Sequence, residues 1–345
     1  MEQASMRVVL SDALAHSGAS SLIGTRYQGR GTILMLHSIV DDTKPYLGQT
    51  LRCSIKTLER SLRWIRDQDL DIVTLDEAVR RLSKPQSRNF IVLTFDDGYR
   101  DNLTRVLPLM ERHKTPFTVY VPSRILTRDL DGWWLGLVPL VRDNETVAVA
   151  AMARSFITRT FHEKQAAMTA IGRWVFEDGR RIAELAPTFA RYGISTAALL
   201  DEEAMTAPEL TTLAASPLVT IGAHTLTHPF LSQLPHAEAA HEINACKIEL
   251  EALLGRSVDH FSYPYGAAGD REAELARHAG YSTAVTTANG TLFPVHASAG
   301  HRFALPRETL DEHDTRGCLH CRTRGVYRFL KSRAGAPAAN YRAAV

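Results

Sequence analysis

The sequence predicts an α/β fold on a parallel sheet, either closed into a barrel or left open, with one helical insertion. Three observations lead there. Short β-favouring runs such as FIVLTF (90–95) and PFTVYV (116–121) recur along the chain, and stretches with apolar residues at helical spacing separate them. The alternation stops only once, between residues 131 and 204, where the sequence turns Ala-rich and charge-punctuated with no evident strand run.

Taken in order, TILMLH (32–37) is the first strand, and SIKTLERSLRWIRD (54–67) is an amphipathic helix with Ile55, Leu58, Leu62 and Ile65 on one face. DIVT (71–74), a helix from Leu75 to Leu82 and the strand FIVLTF follow. A helix is expected within NLTRVLPLMERH, where Pro108 blurs the boundary, and then comes PFTVYV. After the insertion the alternation resumes with LVTIGAH (218–224) and a long helix over 237–255 stopped by Gly255. The strand-like VDHFSYP, a helix DREAELARHAG ending at Gly280, and YSTAVTT complete it.

The 345 residues are 45% hydrophobic and 23% charged, a composition able to bury a large core. No stretch reaches the roughly 18 to 20 apolar residues of a membrane helix. Asp12 and His16 fall where a secretory apolar region would run, so a cytoplasmic protein is expected. Cys53 and Cys246 are isolated, and Cys318 and Cys321 (CLHC) read as reduced thiols, with His313 and His320 nearby keeping a weaker metal reading open. Residues 316–345 carry seven Arg or Lys and no acid. Such a tail is expected to be a solvated, partly disordered end, or else to touch a phosphate-bearing carrier or the anionic inner face of the membrane.

In parallel sheets chemistry gathers at the C-terminal ends of strands. His37 ends the first strand, Asp96 and Asp97 end FIVLTF, His224 ends LVTIGAH, and Tyr265 lies just past HFSYP, so all would face one mouth. Neither the Asp-Asp pair nor HTLTH (224–228) is distinctive alone, since a second pair occurs at 41 and 42 and the chain has 14 histidines. Together they can converge on one cation. One carboxylate and two imidazoles leave a coordination position for water, as a hydrolytic site requires. Asp97, His224 and His228 would then be the ligands, and Asp96 the base that takes the proton of the attacking water. The cation keeps Asp96 ionised beside its neighbour, and Gly98 lets the backbone turn.

TFDDGYRDN, HTLTH and FSYPYG, in that order, resemble the first three signature motifs of the polysaccharide deacetylases, carbohydrate esterase family 4. The resemblance extends loosely from Thr32 to Leu310, with 131–204 outside it. It implies a distorted, TIM-like (β/α) barrel of seven strands and metal-dependent removal of acetyl groups from sugars. It also implies Asp96 as base, Asp97, His224 and His228 as metal ligands, and the Tyr265 amide as the oxyanion donor. The expected organisation is an N-terminal arm (1–29), a deacetylase barrel (30–130 and 205–315), the helical insertion (131–204) and the basic tail (316–345).

Two positions depart from the family pattern. Ser262 stands where many members have arginine, and HRFALPRETLD (301–311) offers no histidine for the late motif that supplies the general acid. Arg307 is therefore expected to orient Asp96, and His37 to protonate the leaving amine. Trp133 and Trp134 could stack on a sugar, but anchoring the insertion is favoured. The expected cofactor is a divalent ion, with Zn²⁺ fitting best and Co²⁺, Ni²⁺, Mn²⁺ or Fe²⁺ also suited. The expected substrate is an N-acetylated sugar or glycan, inside the cell a glycan or glycolipid precursor, and no nucleic acid is expected. A small amide or cyclic ureide hydrolase, or a silent glycan-binding protein on the same scaffold, are the alternatives.

Overall fold

The computed structural model describes residues 2–18, 20, 27–41, 52–84 and 88–333. The strands of the main sheet are β1 (Gly31–Leu36), β2 (Phe90–Phe95), β3 (Phe117–Val121), β4 (Val219–Ala223), β5 (His260–Ser262), β6 (Thr283–Val285) and β7 (Glu308–Thr309). They run in the order β6-β5-β4-β3-β2-β1-β7, and every pairing is parallel. The short strand Asp71–Ile72 shares one edge of β2 with β3, pairing at Phe90 and Ile91 while β3 pairs at Thr94 and Phe95. Every residue of β1 and β2 is buried, because one face lines the barrel and the other meets helices.

The expected distorted (β/α) barrel is present, and its distortion sits at the seam. Leu305, just ahead of β7, forms an isolated bridge to Val285 of β6. The Leu305 amide donates to Ala284 at 2.9 Å, and the Leu310 amide to Met35 of β1 at 3.0 Å. Pro108 lies in the first turn of the helix Leu107–His113, where its missing N–H costs little, and a widened turn over Asn102–Val106 leads into it.

Residues 131–204 contain helices Trp133–Arg142, Phe161–Glu177, Ile182–Arg191 and Thr196–Glu203. Contrary to the expectation of a strand-free segment, they also hold an antiparallel pair, Thr146–Val149 with Arg154–Ile157. Val147, Val149 and Phe156 point inward and their neighbours outward. Strands this short leave too few alternations to stand out in Ala-rich surroundings. The segment has its own core around Trp133, Leu137, Ile171, Val175 and Phe189, which Phe230 joins from beyond it.

The two ends of the chain also differ from expectation. Helix Glu2–His16 packs against helix Arg316–Thr323, with the Thr315 hydroxyl on Asp12 at 2.7 Å and Arg7 paired to Asp311 and Asp314 at 3.3 and 3.2 Å. The basic segment thus forms helices Arg316–Thr323 and Val326–Arg333, where a disordered end was expected. Arg322 is only 3% exposed and is tied to Asp314 and Glu308, while Cys318, Leu319 and Cys321 face the core. The rest of the expected tail, 334–345, and Asp42 of the second Asp-Asp pair lie outside the described residues. Among the described residues no helix is long and apolar enough to cross a membrane.

Candidate active site

The C-terminal ends of the strands gather the expected residues. After β2 the backbone turns sharply, with Asp97 and Gly98 both left-handed (φ 71° and 64°). After β4 the loop brings back His228, itself at φ 61°, and Thr227 pins that loop to the Glu242 carboxylate through its amide (3.0 Å) and hydroxyl (2.7 Å). Left-handed non-glycine residues are uncommon, and their presence at Asp97, His228 and Tyr265 (φ 58°) marks a place where surroundings override local preference.

Asp97, His224 and His228 are buried, and each offers one ligand atom within 4.8 Å of the others. His224 Nδ1 donates to the Ser262 carbonyl at 2.7 Å, which fixes the tautomer and leaves the Nε2 lone pair facing Asp97. Nε2 of both histidines stands 3.4 Å from Asp97 Oδ1. That is long for a hydrogen bond, yet two donors each about 2.1 Å from one ion at the tetrahedral angle are about 3.4 Å apart. The donor set and spacing therefore fit a divalent cation. Burial pushes the Asp97 carboxyl up, but the two histidines more than offset it and hold it well below the usual carboxylate range. Burial lowers His228, so its imidazole favours the neutral form a ligand needs.

Asp96, beside this set, is clamped by Arg307. Arg307 Nη1 and Nη2 donate to Oδ1 and Oδ2 at 2.8 and 2.7 Å, a fork-on-fork pair inside the barrel. Arg307 also donates to the Thr286 carbonyl (2.9 Å), Thr94 Oγ1 (3.2 Å) and Ser262 Oγ (3.1 Å), so its guanidinium is fixed from several sides. The space that a side chain larger than Ser262 would fill is thus taken by an arginine from β7's leading segment. Burial raises the Asp96 carboxyl, and Arg307 outweighs it, leaving the group below its ordinary value.

His37 lies at the same mouth, its pKa lowered by burial and its ring within the field of Asp97, Asp96, Arg307 and His224. Its buried Nδ1 has no hydrogen-bond partner among the described residues. Asn102 donates to the His37 carbonyl at 3.1 Å and to Asp101 at 2.9 Å, and Ser38 donates to the same Asp101 at 2.6 Å. Sequence reasoning missed this support, although Asp101 and Asn102 follow DDGYR closely. Tyr265 sits in the turn after β5, its ring 4.6 Å from that of His228. The two tryptophans separate: Trp133 is 1% exposed and anchors to Tyr265, whereas Trp134 lies 4.8 Å from the His228 ring and donates to Tyr99 OH at 3.1 Å. Tyr99 and Trp134 as walls of the ligand set went unread, because the Tyr99–Trp134 contact joins residues 35 positions apart and Trp134 meets His228 only across the insertion.

Cys318 and Cys321 are free and buried, and burial pushes the Cys321 thiol up to about 11. They form no metal-ligating group among the described residues, and His320 instead contacts Ser20 Oγ at 2.9 Å.

Fold and site together define a (β/α)-barrel protein with a candidate mononuclear metal centre beside an ionised carboxylate. The family model described as polysaccharide deacetylase matches residues 83–154 and 159–284, more than half of the chain. The protein belongs to the polysaccharide deacetylase family. That match runs through most of 131–204, so the segment expected outside the resemblance is part of it. Bacillus subtilis (strain 168) YxkH, whose name places it among polysaccharide deacetylases, is 31% identical over 104 residues, 30% of this chain and 35% of that protein. The poly-β-1,6-N-acetyl-D-glucosamine N-deacetylase of Escherichia coli (strain K12) is 33% identical over 89 residues, 25% of this chain. The match spans only 13% of that relative's length. Among solved structures, the Streptococcus pyogenes deacetylase PplD in complex with acetate superposes with TM-score 0.56 at 15% identity, over 84% of this chain and 95% of that one. The de-N-acetylase from Aggregatibacter actinomycetemcomitans gives 0.55 at 15%, over 85% and 99%. At these identities the likeness is one of fold.

Proposed function

We propose that the protein is a metal-dependent deacetylase that hydrolyses the acetamide of an N-acetylated amino sugar in a glycan or glycolipid precursor. The observation that carries it is the Asp97, His224, His228 ligand set beside an Asp96 held ionised by Arg307. A divalent cation on those three ligands, Zn²⁺ suiting them best, would supply a Lewis acid for the acetyl carbonyl and make a water more acidic. Asp96 takes a proton from the attacking water as its oxygen joins the carbonyl carbon. The Tyr265 amide donates to the oxyanion. His37 in its protonated form gives a proton to the nitrogen as the C–N bond breaks, and the proton Asp96 has taken from water replaces it, releasing acetate and a free amine. Trp134 and Tyr99 shield one side of the site from bulk water. Among the described side chains of this segment, Arg316 and Arg328 are exposed to an anionic carrier, whereas Arg322 is engaged internally.

The test is acetate release by protein stripped with chelator and reloaded with Zn²⁺, Co²⁺, Ni²⁺, Mn²⁺ or Fe²⁺. Poly-β-1,6-N-acetylglucosamine oligomers, the substrate named for the E. coli relative, come first. Other N-acetylated glycans, lipid-linked and nucleotide-linked sugars, and a cyclic ureide complete the panel. Release restored by metal and reduced about 100-fold in His37→Ala is expected. Full activity in that variant removes His37 as the donor, and turnover of the ureide alone overturns the sugar assignment.

A further inference from the structure

The turn that follows β5 holds its shape against local preference. Tyr265 is a bulky residue at φ 58°, and Gly266 follows at φ 70°. Besides the turn's own backbone bonds, Gly266 N–H to the Tyr263 carbonyl at 2.8 Å and Ala267 N–H to the Pro264 carbonyl at 3.0 Å, three restraints keep it there. A Cβ on Gly266 would lie 2.0 Å from Thr287 Oγ1 and 2.7 Å from the Thr287 amide nitrogen, so only glycine permits the approach. The Thr287 hydroxyl donates to the Tyr265 carbonyl at 3.3 Å. The third restraint acts on the Tyr265 side chain: its ring stacks on Phe230 at 3.9 Å and 10°, meets Phe176 edge-on at 5.2 Å, and its hydroxyl accepts the Trp133 indole N–H at 3.0 Å.

Stacked rings slide and rotate at little cost, so the aromatic contacts hold the Tyr265 side chain less sharply than a directional bond does. The indole hydrogen bond is directional and, with Trp133 only 1% exposed, is shielded from competing water. We infer that Trp133 is a positioning residue, which through the Tyr265 hydroxyl fixes the orientation of the Tyr265 amide toward the developing oxyanion. This rests on the proposed deacetylase reaction. It gives the segment containing Trp133 and Phe176 a part in the chemistry of a site whose ligands all lie on barrel strand ends and loops.

The experiment is a double-mutant cycle of Trp133→Phe and Tyr265→Phe. Both keep an aromatic ring, and each removes one end of the same hydrogen bond. kcat and KM are measured for acetate release from an N-acetylglucosamine oligomer, with hydrogen–deuterium exchange of the peptide covering 263–268 as a second readout. Each single variant is expected to lower kcat about tenfold with KM within about twofold, the double variant to be no worse than either single, and the turn to exchange faster in all three. Independent, multiplicative losses, an unchanged kcat in Trp133→Phe, or a rise in KM alone would each overturn the inference. If Trp133→Phe does not fold, Tyr265→Phe reads the bond from its other end. A wild-type protein inactive on every acetamide defeats the proposed function instead, and the exchange data still report whether Trp133 holds the turn.

Discussion

Two buried arginines, Arg307 and Arg322, form carboxylate pairs on opposite sides of one strand. Arg307 points into the barrel and clamps Asp96; the next residue, Glu308, points outward and meets Arg322 at 3.2 Å. Arg322 also donates to Asp314 through Nε (2.9 Å) and Nη2 (3.1 Å). Both centres take charges out of water, and both are tolerable only because partners face each other in good geometry. The difference lies in what surrounds the carboxylates. Glu308 and Asp314 are enclosed by a packed helix, whereas Asp96 adjoins the three candidate ligands and a histidine with an unpartnered nitrogen. A buried ion pair is therefore a poor sign of function by itself, and a good one when the carboxylate also faces unfilled chemistry.

Substitutions at the two centres should separate these roles. The largest effect is expected from Asp96→Asn, which keeps the shape of the inner pair and removes the base. kcat for acetate release should fall about a thousandfold, while divalent-ion binding followed by titration calorimetry persists. A fall of only a few-fold would deny Asp96 the role of base. Arg322→Met breaks the outer centre and should lower unfolding free energy in urea by about 3–5 kcal/mol, with kcat of the folded protein unchanged. Lost turnover at unchanged stability would invert the comparison.

The smallest effect is expected from Arg307→Lys, which retains the charge and loses the fork. Arg307 holds Asp96 below its ordinary value against the upward push of burial. Weakening that hold raises the pKa, so the base is protonated sooner as pH falls, and the acid limb of the pH–rate profile moves to higher pH. kcat/KM at neutral pH should drop about tenfold. An unmoved acid limb would show that the clamp does not set the ionisation of Asp96.

The inner centre was more legible in the sequence than the outer one, for a physical reason. Asp96, Asp97 and His224 each stand just past the C-terminal end of a short β-favouring run, and a parallel sheet brings such ends together whatever the loops do; Arg307, which leads into β7, was legible instead through the arginine missing at position 262. Arg322 carried no such marker. It stands in a basic stretch that resembles a solvated end, and its burial depends on Asp314 and Glu308 in the chain leading to it and on packing by the N-terminal helix. The antiparallel pair at 146–157 was hidden because only Val147, Val149 and Phe156 are buried in it. Tyr99 and Trp134 were out of reach because their contact joins residues 35 positions apart.

The seam strand β7 is only two residues long, and its ladder to β1, Leu34 with Glu308 and Met35 with Thr309, is too brief to define its own alignment by backbone bonds. Alternation of side chains makes alignment all or nothing: a slip of one residue would turn Glu308 inward and Arg307 outward, setting Glu308 beside Asp96 in one direction or Arg307 against Arg322 in the other. Either contact would be like-charged and buried, costing on the order of several kcal/mol. Arg307 and Glu308 thus act as a charge-coded address for the closing strand, and the residue that clamps the base also tells the barrel where to shut.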